Sequence, residues 1–173
     1  MAEDDLFSAV ESDHYDASDR PFDFVGIGDE TALICESDAA VREKMRASLA
    51  GMGYQITEPQ TAKDAVRNMR FHVYDLIVLN DVFNTEEDGK SGAAAILNYL
   101  ANLEMGVRRK IFIVLISEKY RTMDNMAAFN KSVNLVFNPK NMDDFGAIIK
   151  RGLDDNTAFY HIFKDTQKQM GRL

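Results

Sequence analysis

Two stretches of the chain are almost unbroken apolar runs of strand length, Asp75-Leu-Ile-Val-Leu-Asn80 and Ile111-Phe-Ile-Val-Leu-Ile116. Such runs suit strands buried on both faces, and hence the centre of a parallel sheet. Shorter segments over 32–35, 54–57 and 134–137 also read as strands. Between them, apolar residues recur at helical spacing. Val41, Met45, Leu49 and Met52 mark a helix over 39–52, with Asp38 placed to cap it and Gly51 and Gly53 placed to end it. Ala62, Ala65, Val66 and Met69 mark a second helix, begun by Thr61 or Asp64. A polar loop over 81–91 contains Asp88-Gly89. The pattern predicts further helices over 92–104, 121–131, 142–153 and 156–170, the last with Phe159, Ile162 and Phe163 on one stripe.

Strands alternating with helices in this way imply an α/β fold, a doubly wound five-stranded parallel sheet with one helix added at its C-terminal end. Right-handed crossovers place helices on both faces of such a sheet. Ligands and chemistry then sit beyond the carboxyl ends of the strands. Those ends are Glu36-Ser37-Asp38, Asn80-Asp81, Ser117-Glu118 and Asn138-Pro139.

Charge divides the 173-residue chain. The net charge is −8, yet residues 1–30 alone hold ten acids and one base, Arg20. The remaining body is close to neutral. Residues 1–30 read as an acidic, disordered leader, or as a carrier of a short docking motif at 4–10 with Leu6 and Phe7 as its anchors. An acidic leader on a neutral body argues against nucleic-acid binding. One cysteine, Cys35, rules out an intrachain disulfide, and no apolar run reaches the roughly 20 residues of a membrane span. With no secretory signal at the N-terminus, the expectation is a cytoplasmic protein without membrane insertion.

Other constellations are weak. His14, His72 and His161 lack metal-ligand spacing, and Gly26-Ile-Gly28 lacks the lysine of a phosphate loop. Arg108-Arg109-Lys110 is too short for a nucleic-acid patch and reads as a solvated turn. The nine methionines read as core filler.

At the strand ends the residues resemble a known family. Leu33-Ile-Cys-Glu-Ser-Asp38-Ala-Ala-Val-Arg42 is similar to the first strand and acidic turn of a response-regulator receiver domain. Gly53-Tyr54 precedes the second strand as in that family. Asp75–Asn80 resembles the strand presenting the phospho-accepting aspartate, Ile113–Ser117 the strand ending in the switch hydroxyl, and Leu135–Pro139 the strand ending in Lys-Pro. The resemblance covers about 31–153. It implies a CheY/flavodoxin-like fold, with 154–173 as a C-terminal helical extension.

The resemblance also implies a pocket holding a nucleophilic carboxylate, an acidic pair for a divalent cation, a hydroxyl and a lysine. Here the nucleophile position is Asn80, and an amide cannot form an acyl phosphate. The acidic pair is Glu36-Ser37, the lysine position is Asn138, and the aromatic switch position is Leu135. Ser117 alone keeps its role. With one charged ligand of the usual three, Mg²⁺ affinity should fall sharply. The expectation is a non-enzymatic pseudo-receiver in bacterial two-component signalling, with no catalytic residue, metal or cofactor. Asn and Ser groups would form a neutral hydrogen-bond network in the altered pocket. Asp81 should aim away from Glu36, as neighbours in a strand do, and reads as a surface or helix-capping carboxylate.

The expected partners are other signalling proteins. The resemblance places their surface near Met123, Met126 and the helix over 142–153. The stripe at Phe159 and Phe163 is expected to pack on that last receiver helix, or else to form a homodimer or partner surface. Two alternatives are an atypical phosphoacceptor using Asp81, Glu36 and Ser117 with Mg²⁺, and a small-molecule receptor.

Overall fold

In the computed structural model, residues 29–85 and 91–171 are described. The two apolar runs become adjacent strands, β3 (Leu76–Asn80) and β4 (Phe112–Ile116), paired in parallel from Leu76 with Phe112 to Asn80 with Ile116. β1 (Thr31–Cys35) lies on the other side of β3, and β2 (Gln55–Thr57) and β5 (Leu135–Phe137) form the edges. Among the described residues, the five strands make one parallel sheet in the order β2-β1-β3-β4-β5. The order reverses between β1 and β3, which opens a crevice at their carboxyl ends.

Alternation along the strands divides the core into two layers. Leu33, Cys35, Ile77, Leu79, Ile113 and Leu115 face α2 (Ala62–Phe71), α3 (Gly92–Ala101) and the short α4 (Asn125–Asn130). Ala32, Ile34, Leu76, Val78, Val114 and Ile116 face α1 (Ala39–Gly51) and α5 (Phe145–Gln169). Burying a large side chain such as Leu33 or Ile77 contributes about 1.5–3 kcal/mol each.

The helices begin where their caps dictate. The Asp38 carboxylate accepts from the Ala40 and Val41 N–H groups, and Thr61 Oγ1 accepts from the Asp64 N–H. Of the two residues expected to start the second helix, Thr61 is thus the cap. Gly53 ends α1 with φ +94°, a conformation costly for any residue with a Cβ.

Four predicted helices differ. The helix over 121–131 is reduced to Asn125–Asn130, because the Met123 N–H bonds Val136 O and Met123 takes φ +62°. The helix over 92–104 stops at Ala101 and is followed by a separate turn, Met105–Arg108. The two helices expected over 142–153 and 156–170 are one, the 25-residue α5, entered through a 3-10 turn at Pro139–Asp144. Asp154, Asp155 and Asn156 do not break it. The two aspartates are exposed, so the helix carries them on its solvent side. No described helix is long and apolar enough to cross a membrane.

Candidate functional site

The crevice at the carboxyl ends of β1, β3 and β4 gathers most of the expected residues. Glu36 follows β1 and is almost fully buried. Its Oε1 accepts from the Asp38 N–H at 2.9 Å, and its Oε2 accepts from Asn80 Nδ2 at 2.6 Å. The Arg42 guanidinium donates to the Glu36 carbonyl at 2.9 Å and lies 3.7 Å from Glu58. A buried carboxylate is costly unless hydrogen-bonded, and these donors offset that cost. Asn80 Oδ1 accepts from the Val82 N–H at 3.1 Å, so both ends of the amide are engaged.

The second pair joins Asp81, one residue after Asn80, to Ser117, which follows β4. Ser117 Oγ donates to Asp81 Oδ2 at 2.7 Å, and Lys119 Nζ stands 3.6 Å from the same oxygen. Strand alternation separates the two pairs. Glu36 and Asn80 follow the parity of Ile34 and Val78, whereas Asp81 and Ser117 follow that of Leu79 and Leu115. Asp81 is therefore neither a plain surface carboxylate nor a helix cap. It holds the Ser117 hydroxyl, and only its backbone carbonyl meets the start of α3, where it accepts from Ser91 Oγ at 3.0 Å.

Three other expected residues play different parts. Asn138 Nδ2 donates to the Tyr120 carbonyl at 2.7 Å and the Glu118 carbonyl at 3.2 Å, and its Oδ1 accepts from the Lys140 N–H. It fastens the loop after β4 and caps the 3-10 turn. The neutral network expected of the Asn and Ser groups is thus not formed: each amide or hydroxyl of the crevice bonds a carboxylate, and Asn138 bonds backbone. Ser37 is exposed, and Leu135 is core, packed near Gly152. Burial pushes the Cys35 thiol well above its ordinary pKa, so the neighbour of Glu36 is unreactive.

Among the described residues, no group of three or more His, Cys, Asp or Glu is disposed to hold a metal ion. Glu36 is satisfied by its two donors, Asp38 is spent on the α1 cap, and Asp81 is engaged by Ser117 and Lys119.

Of the partner-surface candidates, Met126 is exposed on α4 beside Phe129, whereas Met123 packs partly on the core. Phe159 and Ile162 are about four-fifths exposed, at 80% and 79%. The stripe therefore does not pack on the last receiver helix: it belongs to that helix, and runs past the sheet. Leu6 and Phe7 lie outside the described residues, as does the rest of 1–28.

Two residues were not anticipated. Lys119 is one, since a cation was sought at the end of β5. Asn84 is the other: its Oδ1 accepts from the Ala62 N–H at 2.7 Å, its carbonyl from the Gly92 N–H at 3.2 Å, and its φ is +48°. It ties the loop after β3 to the starts of α2 and α3.

No protein-family model matches the sequence, and no curated protein does. Solved structures match the fold. A response regulator from Chloroflexus aurantiacus superposes with TM-score 0.56 at 16% identity, over 72% of this chain and 98% of its own. A CheY-like receiver domain from Methanospirillum hungatei gives 0.55 at 17%, over 75% and 97%. The receiver domain of a sensor histidine kinase from Pseudomonas aeruginosa, with a magnesium ion in its active-site cleft, gives 0.54 at 17%, over 72% and 98%. These neighbours are receiver domains, and this chain shares their CheY-like fold with a C-terminal helical extension added.

Proposed function

We propose that this chain is a pseudo-receiver: a cytoplasmic protein–protein interaction module of bacterial two-component signalling that is not switched by phosphorylation. The observation that carries the reading is the 2.6 Å bond from Asn80 Nδ2 to Glu36 Oε2. It puts an amide where an aspartyl phosphate would form, and it occupies the acid that would help hold a cation. Asn138 supports the same reading, because its side chain secures a loop instead of offering a positive charge. Exposed Met126 and Phe129 on α4 supply apolar surface for a signalling partner.

A second reading is favoured by Asp81. A carboxylate, a hydroxyl and an ammonium meet at Asp81, Ser117 and Lys119, which are the group types of a receiver pocket shifted along the chain. In that reading an Asp81 oxygen attacks the phosphorus of a small phosphodonor. The donor's leaving group departs with its electron pair, and Lys119, 3.6 Å from Asp81, offsets part of the phosphoryl charge.

Amide NMR titration with Mg²⁺ and then beryllofluoride separates the two. The pseudo-receiver reading expects the amides of Glu36, Asn80, Asp81 and Ser117 to stay in place. Saturable shifts that spread to α4 and vanish in Asp81→Asn would overturn it in favour of the second reading.

A further inference from the structure

The exposed stripe is the continuation of the face that α5 buries. At 3.6 residues per turn, Phe145, Ile149 and Gly152 lie against the sheet, and Phe159, Phe163 and Met170 follow on the same line. α5 returns antiparallel to the strands, so its far half overshoots at their amino ends. Contacts there agree: Asn156 meets Asn134, just before β5, and the Arg109 guanidinium, just before β4, sits 5.4 Å over the Phe163 ring. Arg109 is exposed, as are Lys110 next to it in the chain and Lys164 next to Phe163, while one exposed acid, Asp155, lies a turn before Phe159 on the same side. Asp165 pairs with His161 at 3.4 Å on the opposite side of the helix. The result is an aromatic face with a basic margin and no covering element among the described residues.

We propose that residues 3–11 of this same chain dock on it in cis. Their sequence, Glu3-Asp-Asp-Leu-Phe-Ser-Ala-Val-Glu11, offers three apolar side chains, four acids and no base. It complements the surface in both respects: Leu6, Phe7 and Val10 meet Phe159, Ile162 and Phe163, and the acids meet Arg109, Lys110 and Lys164. The position of the chain fits as well. β1 starts at Thr31, at the end of the sheet where α5 overshoots, and β1 and β4 are separated only by β3, about 10 Å apart. Residues 12–28 connect the two parts, and a chain of that length spans about 23 Å as a coil. A connection of that length holds the segment at roughly millimolar effective concentration, so a contact with Kd of about 0.1 mM is made about nine-tenths of the time. The acidic segment then covers the stripe in the isolated chain. None of this depends on how the crevice is read.

The test uses the full chain. Cys35 is buried and unreactive, so a thiol-directed nitroxide placed at Ser8→Cys labels that position alone. The expected result is that amides over 158–166 and 108–110 lose about half of their intensity or more, given that occupancy. Intensity should return in high salt and in the surface variants Phe159→Ser and Arg109→Glu. Mixing labelled chain with isotope-enriched unlabelled chain should leave the enriched spectrum unchanged. Uniform or absent broadening overturns the proposal. Broadening that appears in the mixed sample overturns it too, and assigns the stripe to a second copy.

Discussion

Replacing Asn80 with aspartate restores the residue type of a phosphoacceptor, and the structure gives the cost. In Asn80→Asp the donor at 2.6 Å from Glu36 Oε2 becomes an oxygen. Two carboxylates about 3 Å apart repel by about 5 kcal/mol at an effective dielectric of 20. The folded protein can avoid that by binding a proton, which costs about 4 kcal/mol at pH 7 for a carboxyl of ordinary pKa 3.9. Protonation is the cheaper course, and the new carboxyl then donates to Glu36 as the amide does. The loss of stability is therefore capped at about 4 kcal/mol at pH 7 and about 1.5 kcal/mol at pH 5. The sign follows from linkage. The folded state holds a proton that the unfolded state releases above about pH 4, so stability falls as pH rises from there. Urea unfolding of both proteins between pH 4.5 and 7.5 measures it. Added Mg²⁺ should recover part of the loss at pH 7, since a cation can take the place of the proton. A loss that does not change with pH would refute the assignment of Asn80 as the donor to the Glu36 carboxylate.

Other expectations follow from single contacts. Gly92→Ala should cost about 2–3 kcal/mol, because its Cβ would stand 2.9 Å from the Asn84 carbonyl oxygen and 2.9 Å from Ala62 Cβ; chemical denaturation reads it directly. Asp38→Ala removes the cap of α1 and should cost about 1 kcal/mol, with early loss of amide protection confined to the first turn of that helix. Burial lowers the His72 pKa, against an opposing pull from Asp75, and its Nε2 bonds Thr31 Oγ1 at 2.8 Å. The stability that depends on the neutral ring is present above its unfolded pKa, near 6.5, and is lost as pH falls below it. His72→Asn should flatten the stability profile between pH 7 and 5.5.

β3 and β4 were legible because strands buried on both faces need unbroken apolar runs, and few other elements of that length do. The cap at Asp38 was legible because the acceptor sits next to the helix it starts, and for α2 the same rule offered both Thr61 and Asp64, of which Thr61 is the cap. α5 was divided in two because Asp154-Asp155-Asn156 resembles a break, whereas the continuous helix exposes the aspartates. Residues 121–124 looked helical, but a backbone bond from Met123 to β5 claims them, and that partner is distant in sequence. The crevice followed the same division. Glu36, Asn80 and Ser117 were found from their places at strand ends. The departure of Asn138 to the loop carbonyls, and the approach of Lys119 to Asp81, depend on the path of the loop after β4, which local pattern does not encode.

One continuous helix in place of two makes α5 a rod. Twenty-five residues span about 37 Å. Its near end rests on the 3-10 turn that Asn138 caps, the residue that also fastens the loop following Ser117 and Lys119. Between its ends Phe145, Ile149 and Gly152 are packed against the sheet, so the first half of the rod is fixed by the core. The rod thereby joins the carboxyl ends of the strands to the opposite pole of the molecule, where the aromatic residues lie.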